Sequence, residues 1–280
     1  MMQARESGGR WEMDCIEIET VAEALERSVI FHVVKEIIGY VLYMHQQIPD
    51  VLQDLCLEFD RLQSESKILE VVLSQMEMKS SCRRKHNGRL RDLKKGIRKL
   101  EKLMNSIASL QTAMQQVLNE IPDIQEVILV LGSNPVRPQH VYEMCFSHGK
   151  ITTEVTNDFT KCKAAEALSR KAIRSLISKG AASMPYGGTT KLFILVKAPS
   201  TFNLPVHFLP KRDFRYSKKI VPCRLHIKCR IRGQGMDASQ HSPQTACPIK
   251  SPDSSSIDLI WFQCRHTIKG LASTTPQIKE

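Results

Sequence analysis

Val127-Ile-Leu-Val-Leu-Gly-Ser-Asn-Pro135 divides the chain into two grammars. The unbroken apolar run from Val127 to Leu131 is what a central strand buried on both faces requires, and Gly132-Ser-Asn-Pro135 closes it with turn residues. Downstream, strands follow. Val141 to Phe146 is half apolar and reads as the antiparallel partner of that strand, and Lys191-Leu-Phe-Ile-Leu-Val196 is a second buried strand. Val221 to Ile231 and Ile257 to Cys264 alternate apolar with polar residues. A single helix, Phe159 to Lys179, interrupts them, with Cys162, Ala165, Leu168, Ala172, Ile173, Leu176 and Ile177 on one face and Gly180 as its C′ residue.

Upstream of Val127 the periodicity is helical. Thr20-Val-Ala-Glu23 has the form of a capping box and predicts a helix start there. From Leu25 to Leu42 apolar pairs recur every turn until most of the circumference is apolar, the signature of a central helix, which ends near Gln46-Gln47-Ile48-Pro49. Asp50 to Met78 is a less regular helical stretch. Leu90, Leu93, Ile97, Leu100, Met104, Ile107, Met114 and Leu118 form a third, heptad-like helix, short enough to favour packing on its own sheet over an intermolecular coiled coil. Helices first and then strands predict an α+β domain with an antiparallel sheet.

The chain has 280 residues and 42% of them are hydrophobic, which suffices for a sizeable core. The net charge of +11 is unevenly placed: Arg83 to Lys102 and Phe208 to Gly233 each carry +8, which leaves a body at −5. The first island could act as a nuclear-import signal, a phosphate-binding face or a solvated helix face. It has no aromatic residues to stack bases, so nucleic acid is not the expected partner. The second island interleaves Phe208, Phe214 and Tyr216 with Lys211, Arg212, Arg215, Lys218 and Lys219, a mixture suited to anchoring in an acidic protein groove. Ser242, Ser251 and Thr275 each precede proline and are candidate phosphorylation sites.

Nine scattered cysteines, none spaced C-x-x-C, predict reduced thiols and neither a disulfide framework nor a zinc ribbon. No secretory signal or membrane span is expected. There is no phosphate-binding glycine loop, no G-x-S-x-G and no H-E-x-x-H; Gly187-Gly-Thr-Thr190 reads as a turn, and Cys264-Arg-His266 is not a metal site on its own. The expectation is a non-enzyme without cofactor or metal.

Two strings carry a resemblance: Val127-Ile-Leu-Val-Leu-Gly-Ser-Asn-Pro with Tyr142-Glu143, and Ile260-Trp-Phe-Gln-Cys-Arg-His-Thr-Ile-Lys-Gly270. With Gln46-Gln47-Ile48-Pro49 and Phe208-Leu-Pro-Lys211 in the same order, the chain resembles the comet family of HORMA-domain adaptors. The resemblance implies three core helices on an antiparallel sheet, with a C-terminal segment wrapping back as a belt. It implies one HORMA-like domain over 14–271 with a helical insert at about 50–88, to which the polar, Gly- and Ser-rich composition adds a flexible loop at 233–256 and a tail at 1–13, with a further tail at 272–280.

Functionally it implies an adaptor that binds the closed conformer of the spindle-checkpoint protein Mad-two. The adaptor presents that conformer to a hexameric AAA+ ATPase of the pachytene-checkpoint family and so silences the mitotic checkpoint. Ile173, with Ile177 a turn further on, falls where the family has an aromatic on its docking helix, and Met44 stands in place of a glutamine on the same docking surface. Pro210 and Lys211 match the pair that engages the ATPase. Nucleus and cytoplasm, with spindle or kinetochore in mitosis, is the implied location. The alternatives are a regulator of meiotic HORMA proteins on chromosome axes and a basic nucleic-acid or chromatin-associated protein.

Overall fold

In chain order the elements are β1 (Cys15–Thr20), α1 (Arg27–Met44), α2 (Leu52–Gln75), α3 (Ser80–Glu120), β2 (Glu126–Asn134), β3 (Arg137–Ser147), α4 (Asp158–Ser178), β4 (Lys191–Pro199), β5 (Phe208–Lys211), β6 (Cys223–Cys229), β7 (Leu259–Cys264) and β8 (Ile268–Lys269). The computed structural model describes residues 15–20, 24–75, 79–121, 123–148, 158–180, 188–229 and 258–271. The expected tails 1–13 and 272–280, the loop 233–256, and the three Ser/Thr-Pro dipeptides lie outside the described residues.

The eight strands form one sheet in the order β1-β6-β3-β2-β4-β7-β5, with β8 continuing beside β4. β2 holds the middle, as its apolar run requires: it pairs antiparallel with β3 on one side and with β4 on the other. Its side chains alternate between two cores. Val127, Leu129 and Leu131 face the helices, whereas Ile128 and Val130 face the back of the sheet. The α+β expectation is met, but the sheet is mixed, not antiparallel: β6 runs parallel to both β1 and β3. The reason is the route of the chain. From β5 at one edge it crosses the back face through Phe214, Tyr216 and Ile220 before entering β6 between β1 and β3, and that crossing fixes the strand's direction.

α1, α4 and the second half of α3 supply the helical side of the main core. α1 buries Val29, Ile30, Val33, Val34, Ile37, Ile38, Val41 and Leu42, the stripe its periodicity predicts. It does not begin at the capping box. Thr20 is the last residue of β1, paired with Cys229; Glu26 is the N-cap of α1 and makes no side-chain capping bond. Cys15 to Thr20 turns Ile16, Ile18 and Thr20 inward on alternate positions, and pairing with β6 overrides the local capping preference. At the other end Gln46 takes φ 51°, and the Gln47 N–H donates back to Leu42 O at 2.8 Å, which ends the helix ahead of Pro49.

α3 is a single helix of 41 residues, about 60 Å long. Its buried side chains run only from Leu100 to Leu118. The part before Leu100 pairs with α2 as a two-helix arm. Only Leu55 and Ser66 of α2 are buried, and the helices are tied across by Arg89 to Glu65 and by Lys94 to Glu70 at 2.8 Å. No helix among the described residues is long and apolar enough to cross a membrane.

Candidate functional site

α4 buries Ala165, Leu168, Ser169, Ala172 and Leu176, where small residues let it lie close on α1. Ile173 and Ile177 fall to one side of that stripe. Ile173 is half-buried and Ile177 is 51% exposed. Ile173 forms part of the wall of an apolar groove of about 600 Å³ between the four helices, with Tyr40, Tyr43, Leu52 and Met104 among its other walls. Gly39 makes room for it: a Cβ there would lie 3.0 Å from Leu52 Cδ1, so glycine is what lets the first turn of α2 close one end. The Tyr40 hydroxyl is buried without a hydrogen-bond partner among the described residues, and burial raises its pKa. Met44 is half-buried and does not line the groove, so of the expected trio only Ile173 faces it. The exposed Tyr43 and Val51 were missed by sequence reasoning; the available signal was their position off the buried stripe of α1 and at the start of α2.

Pro210 and Lys211 are exposed on β5, at the far edge of the sheet, where they pair with Phe262 and Trp261 of β7. Proline suits an edge strand because its missing N–H removes no ladder bond. The aromatics of the second island anchor the segment on the protein's own sheet, not in a partner's groove as expected. Phe208 is 2% exposed in the main core, and Phe214 and Tyr216 pack with Trp261 over Ile128, Val130, Val141, Phe193 and Leu195. Tyr216 also donates its hydroxyl to the buried carboxylate of Glu143, whose other oxygen accepts from Arg224 Nε at 2.6 Å. Loss of solvation and the adjacent carboxylate both push the Tyr216 pKa up. Lys211, Arg212, Arg215, Lys218 and Lys219 stay exposed and form no ion pair among the described residues.

The strings Gln46-Gln47-Ile48-Pro49 and Thr267-Ile-Lys-Gly270 meet at one junction. The Gln47 amide donates to His45 O at 2.7 Å and Gly188 O at 3.1 Å, and its Oε1 accepts from the Thr190 N–H at 2.7 Å. The Leu271 N–H donates to Gln47 O at 2.7 Å, and the Gly270 N–H to Thr190 O at 2.8 Å. Beneath this junction His45 Nε2 lies 2.7 Å from the Tyr142 hydroxyl, with the His140 ring stacked at 4.2 Å. Burial, with a smaller contribution from His140, pulls the His45 pKa down to about 4.

His266 meets His207, Nε2 to Nδ1 at 2.8 Å, while the nearby Cys264 thiol is buried and its pKa is pushed up to about 11. No group of three or more metal-ligating side chains occurs among the described residues. Compared with known proteins, the chain matches no family model and no curated sequence. The protein is a mixed-sheet α+β domain with an apolar groove on its helical layer and an exposed proline-lysine pair on its far edge strand.

Proposed function

We propose that the protein is a non-catalytic adaptor with a HORMA-like domain. It binds the closed conformer of the Mad-two checkpoint protein and presents it to a hexameric AAA+ ATPase, which supplies the ATP hydrolysis. The observation that carries this reading is the separation of two accessible patches on one domain. Ile173 and Ile177 lie on α4, the helix that packs beside β1 at one edge of the sheet, whereas Pro210 and Lys211 lie on β5 at the other edge. An adaptor must hold client and remodeller at once, and two patches on opposite edges allow that without steric conflict.

On α4 the apolar Ile173 beside the groove and Tyr43 supplies the desolvated contact that a helix-mediated interface needs. On β5 the cation at Lys211 offers charge to an acidic surface. The test is a pair of variants. Ile173→Asp should weaken binding of closed Mad-two at least about tenfold, near 1.4 kcal/mol, by placing a carboxylate in an apolar contact. Pro210→Ala with Lys211→Ala should abolish client-dependent stimulation of the ATPase while leaving Mad-two binding intact. Wild-type behaviour of both variants in pull-down and ATPase assays would sink the reading.

A further inference from the structure

The arm that the adaptor reading leaves unused carries an organised row of charge. Arg84, Arg91, Lys95, Arg98 and Lys102 recur at spacings of seven, four, three and four on α3, so they share one face along about 27 Å of helix. That face points away from the apolar seam that packs on α2 and the sheet. All five side chains are exposed, and none forms an ion pair among the described residues, in contrast to Arg89 and Lys94 on the flank, which pair with α2. The row does not stop with the arm. Arg98 and Lys102 also line a cleft of about 470 Å³ where α3 meets the turn between β7 and β8, and there the exposed Arg265 joins them together with Asn105, Ser109 and Thr267. Glu101 is the one carboxylate in that cleft.

We propose that this face is a docking surface for the phosphodiester backbone of duplex DNA. A protein interface has an apolar, often aromatic centre from which charge is depleted. The positions of this face from Arg84 to Ser109 are Arg, Lys, Asn, Ser and Gly, without one apolar side chain. Rows of Arg and Lys with hydroxyl and amide donors at one end are what phosphate contacts use, and they carry no base readout. Single strands need stacking aromatics, which the face lacks. An unbroken helix presents these cations in one line at intervals of about 5 to 10 Å, which suits a stiff, regularly charged polymer better than a folded acidic surface. The face lies on α3 and the β7–β8 turn and shares no residue with the Ile173/Ile177 or Pro210/Lys211 patches, so on the adaptor reading it would add a chromatin contact to the two protein contacts.

The experiment is fluorescence anisotropy of a labelled duplex of about 20 base pairs with the full chain, between about 50 and 200 mM salt. Six phosphate contacts, five from α3 and one from Arg265, predict a log–log salt slope of about −5.4. Arg91→Gln/Lys95→Gln/Arg98→Gln/Lys102→Gln leaves Arg84 and Arg265, so it should bring the slope to about −2 and weaken binding more than about thirtyfold at the lowest salt, with an unchanged melting curve because every substituted side chain is exposed. Absence of duplex binding by the wild type would overturn the proposal. So would an unchanged slope in the variant, or loss of binding instead in a matched Lys211→Gln/Arg212→Gln/Arg215→Gln/Lys218→Gln chain. Displacement of the duplex by poly-glutamate at equal charge would assign the face to an acidic polypeptide. Ile173→Asp should leave duplex binding unchanged, so failure of this proposal and failure of the adaptor reading are separable.

Discussion

The side-chain amide of Gln47 occupies the space that a Cβ on Gly270 would need, and that contact locks the end of the first long helix to the last described strand segment. Gly270→Ala therefore has to expel the Gln47 amide from its bonds to Thr190 and Gly188, at a cost of about 1–3 kcal/mol. In a Gln47→Ala background, which removes the clash, the same substitution should cost far less. Urea unfolding of the four chains of this cycle measures the coupling, and additivity within about 0.5 kcal/mol would refute the lock.

Acid should weaken the fold through His45. Its folded pKa near 4 lies below the unfolded value of 6.5, so the unfolded chain takes up the proton first. Stability is then complete above pH 6.5, falls as pH drops from about 6.5 to 4, and levels off below, for a total of at most about 3 kcal/mol. Burial also lowers His140, which adds to the slope in the same direction. Melting temperature measured across this range should show the fall, and His45→Gln should flatten it.

The strap over the back of the sheet should behave as core although its sequence is charged. Phe214→Ala uncovers Trp261, whose ring centroid lies 6.1 Å from that of Phe214, and should cost about 2–3 kcal/mol. Tyr216→Phe removes one donor from the buried Glu143 while Arg224 remains, at about 1–2 kcal/mol. Substitution of the neighbouring exposed Arg215 by Gln should change stability by less than about 0.5 kcal/mol. Thermal melts that rank these three otherwise would refute a docked strap.

Hydrogen exchange should split α3 in two. Leu110, Ala113 and Val117 are fully buried, whereas Leu90, Leu93 and Ile97 are half-buried against a helix that has only two buried residues of its own. Amides from 83 to 97 should exchange at least about tenfold faster than those from 104 to 118. Uniform protection along the helix would mean that the arm is held by contacts other than those described.

The parts of this fold that were legible in the sequence are those set by short-range periodicity. The buried stripe of α1, the heptads of α3 and the apolar run of β2 each report their own burial, so their positions follow from side-chain spacing alone. β1 escaped notice because three inward positions next to a plausible capping box are a weaker local signal than the cap itself, and only pairing with β6 decides between them. The direction of β6 could not be read from spacing, because it depends on the path of the strap behind the sheet. Of the candidate site residues, Ile177, Pro210 and Lys211 are exposed and Ile173 and Met44 half-buried, while the groove beside Ile173 is a product of four helices meeting and has no linear signature. Arg265 belongs to the cationic row only because the β7–β8 turn abuts α3.

The placement of β6 has a consequence for how the molecule is made. Among the described residues β1 has β6 as its only strand partner, with Cys15 opposite Arg224, about two hundred residues away. On a ribosome the first strand would leave the exit tunnel about 10–40 s before its partner is synthesised, and until then the edge of β3 is open as well. Nascent chains of this protein therefore pass through a stage with Ile16 and Ile18 uncovered and a strand-wide slot beside β3, the kind of edge that invites pairing with the wrong chain. Chaperone dependence should accordingly be greatest for chains stalled just before residue 223, and should vanish once the sheet can close.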